Sequence, residues 1–211
     1  MADEFDALSD DQKQAFRGRM AAMGLAPDTL SHQGTLVTGA TPGPTILSGD
    51  PAESHVPPTL VTVNSIAELK ALHGIPDEHY TVKGVADVAV DYPDELPQHR
   101  MKLTDTAPDI CALRDSLKED ERDQIVKAAK AYVLGNSEKV AAYEPLINAA
   151  MFPMQVAVIC IPAIVVSSGS PLVITGSKPV SACYGTITVE PGGQIIIETQ
   201  TNLTAQRFEA K

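Results

Sequence analysis

The residues best placed to do chemistry stand in one short run, "HGIPDEH" over positions 73–79, which sets His73, Asp77, Glu78 and His79 close together. Imidazole and carboxylate donors are what a zinc site or a general acid–base pair requires. The two histidines, however, stand six apart with Pro76 between them, a spacing that matches no standard metal motif. The run therefore reads as a surface loop after a helix, with these four residues as weak candidates for a site. Ser167, Ser168 and Ser170 surround Gly169 but lack the Gly-x-Ser-x-Gly pattern of a nucleophile elbow, so they read as turn serines. Gly34 and Gly39 have the spacing of a phosphate-binding loop, but Ala40 and Thr41 follow where the phosphate-reaching Lys would stand.

Three cysteines, Cys111, Cys160 and Cys183, make neither a disulfide framework nor a Cys-x-x-Cys zinc pair. They read as reduced thiols, which predicts a cytoplasmic setting. Cys160 and Cys183 fall within expected strands, where cysteine acts as a small hydrophobe. The sequence calls for no cofactor and no metal.

The net charge of −11 lies in residues 1–150, because Lys178, Arg207 and Lys211 balance Glu190, Glu198 and Glu209 in the remainder. An acidic chain without a basic stripe repels phosphate backbones, which argues against nucleic-acid binding. The start, "MADEFDALSDD", is acidic and polar, unlike a secretory signal. From Leu146 to Val166 the chain is apolar enough to span a bilayer, but Pro153, Pro162, β-branched content and the absence of basic flanks oppose a membrane helix. Aromatic residues make up 4% of the chain, so its core must be aliphatic.

Four regions must position these residues. Residues 1–24 predict a helix, opened by a Ser9–Gln12 capping box, carrying Phe16, Met20 and Met23, and closed by Gly24. Residues 25–58 are rich in Pro, Gly, Ser and Thr and read as a loop or linker with room for a short strand. Residues 59–150 are mixed. A strand is predicted at 59–64, a helix opened by Ser65 and Glu68 and closed by Gly74, and an extended stretch at 80–90. Three short helices should follow: one capped by Thr106 and Asp109, one over about 119–134, and one after Asn136 that Pro145 interrupts.

Residues 151–211 carry a repeat. Apolar pairs recur at a step of eight, with one step of seven: Val156/Val158, Ile164/Val166, Leu172/Ile174, Val180/Ala182, Ile187/Val189, Ile195/Ile197 and Leu203/Ala205. Two folds fit such a unit, an antiparallel β-meander and a β-solenoid with three units per coil. At the three-unit offset Ile164 aligns with Ile187, Leu172 with Ile195 and Val180 with Leu203, a match in size that favours the solenoid. The expected class is therefore α+β, a helical and loop-rich N-terminal part followed by a C-terminal β-solenoid. Over residues 155–208 the unit pattern resembles the β-helical domains of bactofilins, adhesins and pectin-lyase-like proteins. That resemblance implies a stacking architecture and no particular activity.

Outward strand positions are Val165, Val173, Ser181, Thr188, Ile196 and Thr204, half of them apolar. An apolar outer face is expected to be covered by protein. Val165, Val173 and Ile196, with Arg207 and Phe208 near the last edge, are the candidate assembly residues. The sequence thus predicts a non-enzymatic structural or interaction protein with a protein partner or a second copy of itself. The alternative is an enzyme or ligand-binding protein with a site between the two halves, using His73, Asp77, Glu78 and His79.

Overall fold

The computed structural model describes residues 4–26, 28–93 and 115–211. Cys111, His99 and the helix expected to start at Thr106 and Asp109 lie outside the described residues. The chain divides into two compact units, one of Met1–Val61 with Gln155–Lys211 and one of Thr62–Met154.

The first unit opens with helix α1, Asp10–Ala22. The Ser9 hydroxyl accepts the Gln12 N–H at 3.3 Å, and the Gln12 side chain accepts the Ser9 N–H at 3.0 Å. Each satisfies a donor that the first helical turn leaves open. Asp10 and Asp11 add favourable charge at that end. Gly24, at φ +75°, ends the run.

Three strands follow, β1 (Thr35–Val37), β2 (Thr45–Ser48) and β3 (Thr59–Val63), and five more come from the last part of the chain: β4 (Met154–Val166), β5 (Leu172–Thr175), β6 (Val180–Val189), β7 (Ile195–Ile197) and β8 (Thr201–Ala210). They form two sheets. One runs β1-β4-β6-β8 with β3 also beside β4, and the other runs β2-β5-β7. The pairs β1–β4, β2–β5, β4–β6, β5–β7 and β6–β8 are all parallel.

These sheets overturn the expected β-solenoid of eight-residue units, and the antiparallel meander with it. The protein is a mixed helix–strand fold with two open parallel sheets. Its strands do not break at eight residues. β4 runs 13 residues through two of the supposed units, because Ile161-Pro162-Ala163 offers no turn, and β6 runs 10. The far edge of β4 is taken by β1 and β3, and that of β5 by β2. So the stretch 25–58, read as loop or linker, supplies two strands.

The register pairs Ile164 with Ile187, Val166 with Val189 and Leu172 with Ile195, the alignment seen at the three-unit offset. The last alignment slips by two: Leu203 pairs with Ala182 and not with Val180. Strands β6 and β8 pair at an offset of 21 residues, where β4–β6 and β5–β7 pair at 23.

A shared aliphatic core lies between the sheets, built from Leu47, Ile159, Ile161, Ile164, Leu172, Ile174 and Ile187, with Tyr184 among them. The core-facing set on β4 passes from Ile161 to Ile164, three residues on where a flat strand would need two. Pairing is interrupted at the same point, between Ile161↔Tyr184 and Ala163↔Thr186. The bend brings chains close: a Cβ on Gly185 would sit 2.3 Å from the Pro162 carbonyl oxygen and 2.5 Å from the Phe5 ring.

The second unit is helical. Helix α2 (Ile66–His73) is capped by Ser65, whose hydroxyl accepts the Glu68 N–H at 3.1 Å, and the Asn148 side chain accepts the Ile66 N–H at 2.8 Å. A four-residue turn, α3 (Glu78–Thr81), follows. The expected extended stretch at 80–90 does not form. Gly84 adopts φ +64° and Val82, Val85 and Val88 stay exposed, so the apolar residues there bury no sheet face. Helix α4 (Glu119–Leu134) carries three acids in its first turn and buries Ile125, Ala128, Ala129 and Tyr132. A 3₁₀ segment (Ser137–Tyr143) leads into α5 (Glu144–Met151). Pro145 was expected to interrupt a helix. It stands instead in the first turn of one, where its missing N–H costs nothing.

The apolar run from Leu146 to Val166 is divided between α5 and β4. Among the described residues no helix is long and apolar enough to cross a membrane.

Candidate functional site

The run 73–79 belongs to a structural clasp in the second unit. The Lys70 ammonium, on a side chain 9% exposed, donates to the carbonyls of Tyr132 at 2.8 Å and Gly135 at 2.7 Å. These are carbonyls that the end of α4 cannot satisfy internally. Asp77 neutralises the ammonium at 2.8 Å and accepts the Ser137 N–H at 2.9 Å and the Ser137 hydroxyl at 2.7 Å. Burial alone would raise the Asp77 carboxyl, but Lys70 and Ser137 outweigh it and hold it below the usual carboxylate range. The clasp fastens the end of α2 to the end of α4. His73 is the buried last residue of α2, while Glu78 and His79 lie on α3, which buries nothing. Among the described residues no group of three or more His, Cys, Asp and Glu side chains is placed to hold a metal ion.

A cavity of about 710 Å³ lies nearby in the same unit, with Ile75, Val85, Val126 and Leu134 among its walls. Of the charged groups that line it, Lys127 pairs with Asp91 at 3.0 Å, and Asp87 pairs with Lys139 at 2.7 Å. Asp87 also accepts the Tyr92 hydroxyl. Burial first, and then that bond, push the Tyr92 phenol up to about 12.

The predicted assembly residues fall into two groups. On the first sheet the outward face is covered by the protein's own N-terminal segment. Ser181 and Thr188 are 1% exposed, with Met23 accepting from the Ser181 hydroxyl at 3.6 Å and Glu4 accepting from the Thr188 hydroxyl at 2.9 Å. Val165 is half-buried on the same sheet. Val173 and Ile196 are register partners on the second sheet, half-buried and exposed respectively. Arg207 and Phe208 both lie on β8, where Arg207 pairs with Glu209.

More telling is a contrast that the sequence pattern did not signal. Leu172, Ile174 and Ile187 are fully buried. Their register partners on the end strands, Ile195, Ile197 and Phe208, are not: Ile197 is 53% and Phe208 59% exposed. Parallel register keeps partners on one face, so Ile197 and Phe208 face the core side and still meet solvent. Among the described residues no strand pairs with the outer edge of β7 or β8. The repeat gave all inward positions the same apolar character, so nothing in it distinguished the last ones.

Beneath α1, on the outward face of the first sheet, Cys160 and Cys183 are direct register partners, both fully buried. Their thiols hydrogen-bond each other, and the Arg19 guanidinium of α1 acts on both. The Cys183 thiol is held below its ordinary range by the bond to Cys160, with help from Thr204 and Arg19 against burial. The same bond and burial push Cys160 up.

No family model, curated protein or solved structure matches the chain.

Proposed function

We propose that this is a non-enzymatic assembly protein, in which the end strands β7 and β8 are covered by the same strands of a second copy. The observation that carries this reading is the exposure of Ile197 and Phe208 on the core side of sheets whose preceding strands are sealed. Exposed apolar surface continuous with a core, beside an unpaired strand edge, favours docking of protein.

Charge supports a second copy as the occupant. The chain carries −11, which opposes self-association in general. The end strands and their flanks are balanced, with Arg207 and Lys211 against Glu198 and Glu209. An antiparallel pairing of β8 about a two-fold axis at Phe208 sets Phe208 on Phe208 and Arg207 opposite Glu209 of the second copy, twice. A cytoplasmic setting goes with this reading, supported by two adjacent reduced thiols.

The test is light scattering on a sizing column with the full chain. The expected result is a dimer that Phe208→Asp converts to a monomer with an unchanged circular dichroism spectrum. A wild-type chain that stays monomeric across the micromolar range would overturn the proposal.

A further inference from the structure

We infer that His55 is a pH-sensitive latch on the outer edge of β2, closed while its imidazole is neutral and opened when the ring takes up a proton.

The backbone of β2 shows what the latch closes. β2 is an end strand of its sheet, with β5 on one side. The Thr45 and Gly49 N–H groups point to β5, donating to the carbonyls of Pro171 at 2.9 Å and Thr175 at 2.8 Å. Peptide groups alternate in direction along a strand, so the N–H groups of Ile46 and Ser48 point away from β5. Outward groups of this kind are a template for a strand of another chain. Here side chains of the following turn take both. The Ile46 N–H donates to His55 Nδ1 at 2.8 Å, and the Ser48 N–H donates to the Ser54 hydroxyl oxygen at 3.0 Å. The His55 N–H returns a bond to the Ile46 carbonyl at 2.9 Å. The turn is anchored next door: the Ser54 hydroxyl donates to the Val56 carbonyl at 2.6 Å, and the Val56 side chain is buried in the core between the sheets.

The chemistry of the two acceptors differs. A ring nitrogen accepts only when it carries no proton, so the bond from Ile46 requires a neutral imidazole with its proton on Nε2. The imidazolium carries N–H at both positions. Its Nδ1–H would face the Ile46 N–H, donor against donor, and the ring must turn away. The Ser54 hydroxyl does not titrate, and Val56 keeps the turn anchored, so the change is confined to one outward amide of β2.

Histidine changes charge between about pH 5 and 8, and His55 is exposed, so protons reach it from solvent. The strands beside it, β2 and β5, carry no ionisable side chain. The acids of its own turn are Asp50 and Glu53, and Asp50 is held by Lys178 and Ser177. The sign follows from the acceptor. The latch is closed above the imidazole titration and is lost as pH falls through it. The other end strand of this sheet is β7. Acid therefore leaves an unpaired backbone donor at the end of the sheet that is closed at neutral pH.

The experiment is nuclear magnetic resonance on the full chain. At about pH 8 the ring nitrogens of His55 should show a proton on Nε2 and none on Nδ1. Between about pH 8 and about pH 5 the exchange protection of the Ile46 amide, corrected for the intrinsic pH dependence of exchange, should fall about fivefold. The Thr45 amide, bonded toward β5, should hold its protection. His55→Asn supplies a side-chain oxygen that accepts and does not titrate, so its Ile46 amide should stay protected at both pH values. A proton on Nδ1 at about pH 8 would overturn the proposal, in a measurement that needs no variant. So would Ile46 protection that is equal at the two pH values, or that falls as far in His55→Asn as in the native chain.

Discussion

At the scale of single residues, two side chains dominate what can be predicted. Asp77 holds a nearly buried ammonium that otherwise meets two carbonyls and the Tyr132 ring. Asp77→Ala should destabilise the protein by about 2–4 kcal/mol, as removal of one partner from a largely buried ion pair does. Chemical denaturation measures it. Because the folded carboxyl lies below its ordinary range, the contribution of Asp77 is complete above about pH 4 and is lost as pH falls further. Asp50 follows the same sign. Lys178 at 2.7 Å, with the Ser177 N–H and hydroxyl, lowers its carboxyl to about 2, and a carboxyl-carbon NMR titration should find its midpoint there. Tyr184 goes the other way. Its hydroxyl is fully buried and has no hydrogen-bond partner among the described residues. An unsatisfied buried hydroxyl costs about 1–3 kcal/mol, so Tyr184→Phe should raise stability by about 1 kcal/mol. A lower melting temperature would count against this.

At the scale of elements, what was legible in the sequence had a local cause. The α1 capping box, the α2 cap at Ser65 and the stop of α4 at Gly135 depend on residues within one turn of each other, and each formed where it was read. The apolar pairs of the repeat were real, because alternation on a strand is also local. Strand ends, sheet direction and sheet closure were not legible, because they depend on partners. Nothing in "GTLVTG" or "PTILSG" announces that β1 and β2 will pair with strands more than a hundred residues away. The run 73–79 misled in the same way. Its carboxylate had a partner at Lys70, within one helix turn of His73, but the carbonyls that make Lys70 necessary come from α4. Gly185 is the element-scale position most open to test. No side chain fits against the Pro162 carbonyl, so Gly185→Ala must shift β6 from β4 or displace Phe5. The expected cost is about 2–4 kcal/mol, in the range of severe core overpacking. Thermal unfolding reads it, and an unchanged midpoint would mean that the bend relaxes freely.

At the scale of the whole molecule, the excess charge stands apart from the end strands. The excess acid lies in residues 1–150, and the uncovered core-side residues Ile197 and Phe208 lie in the neutral remainder. Self-association through β7 and β8 should therefore depend weakly on salt. A dimer measured at low and at high ionic strength should keep its dissociation constant within about threefold, since the charges that meet are balanced. A strong salt dependence would point to the acidic part as the contact.

The pairing of the first and last stretches of the chain also sets an order of events. Met23 rests on Ser181, 158 residues further on. At about 5–20 residues per second, a ribosome needs roughly 8–30 s between making the two. Through that interval Phe16, Met20 and Met23 have no sheet to rest on, while residues 62–154, which form a compact unit of their own, are completed before its end. Nascent chains stalled at residue 154 should hold a chaperone on α1 that chains extended through β8 release.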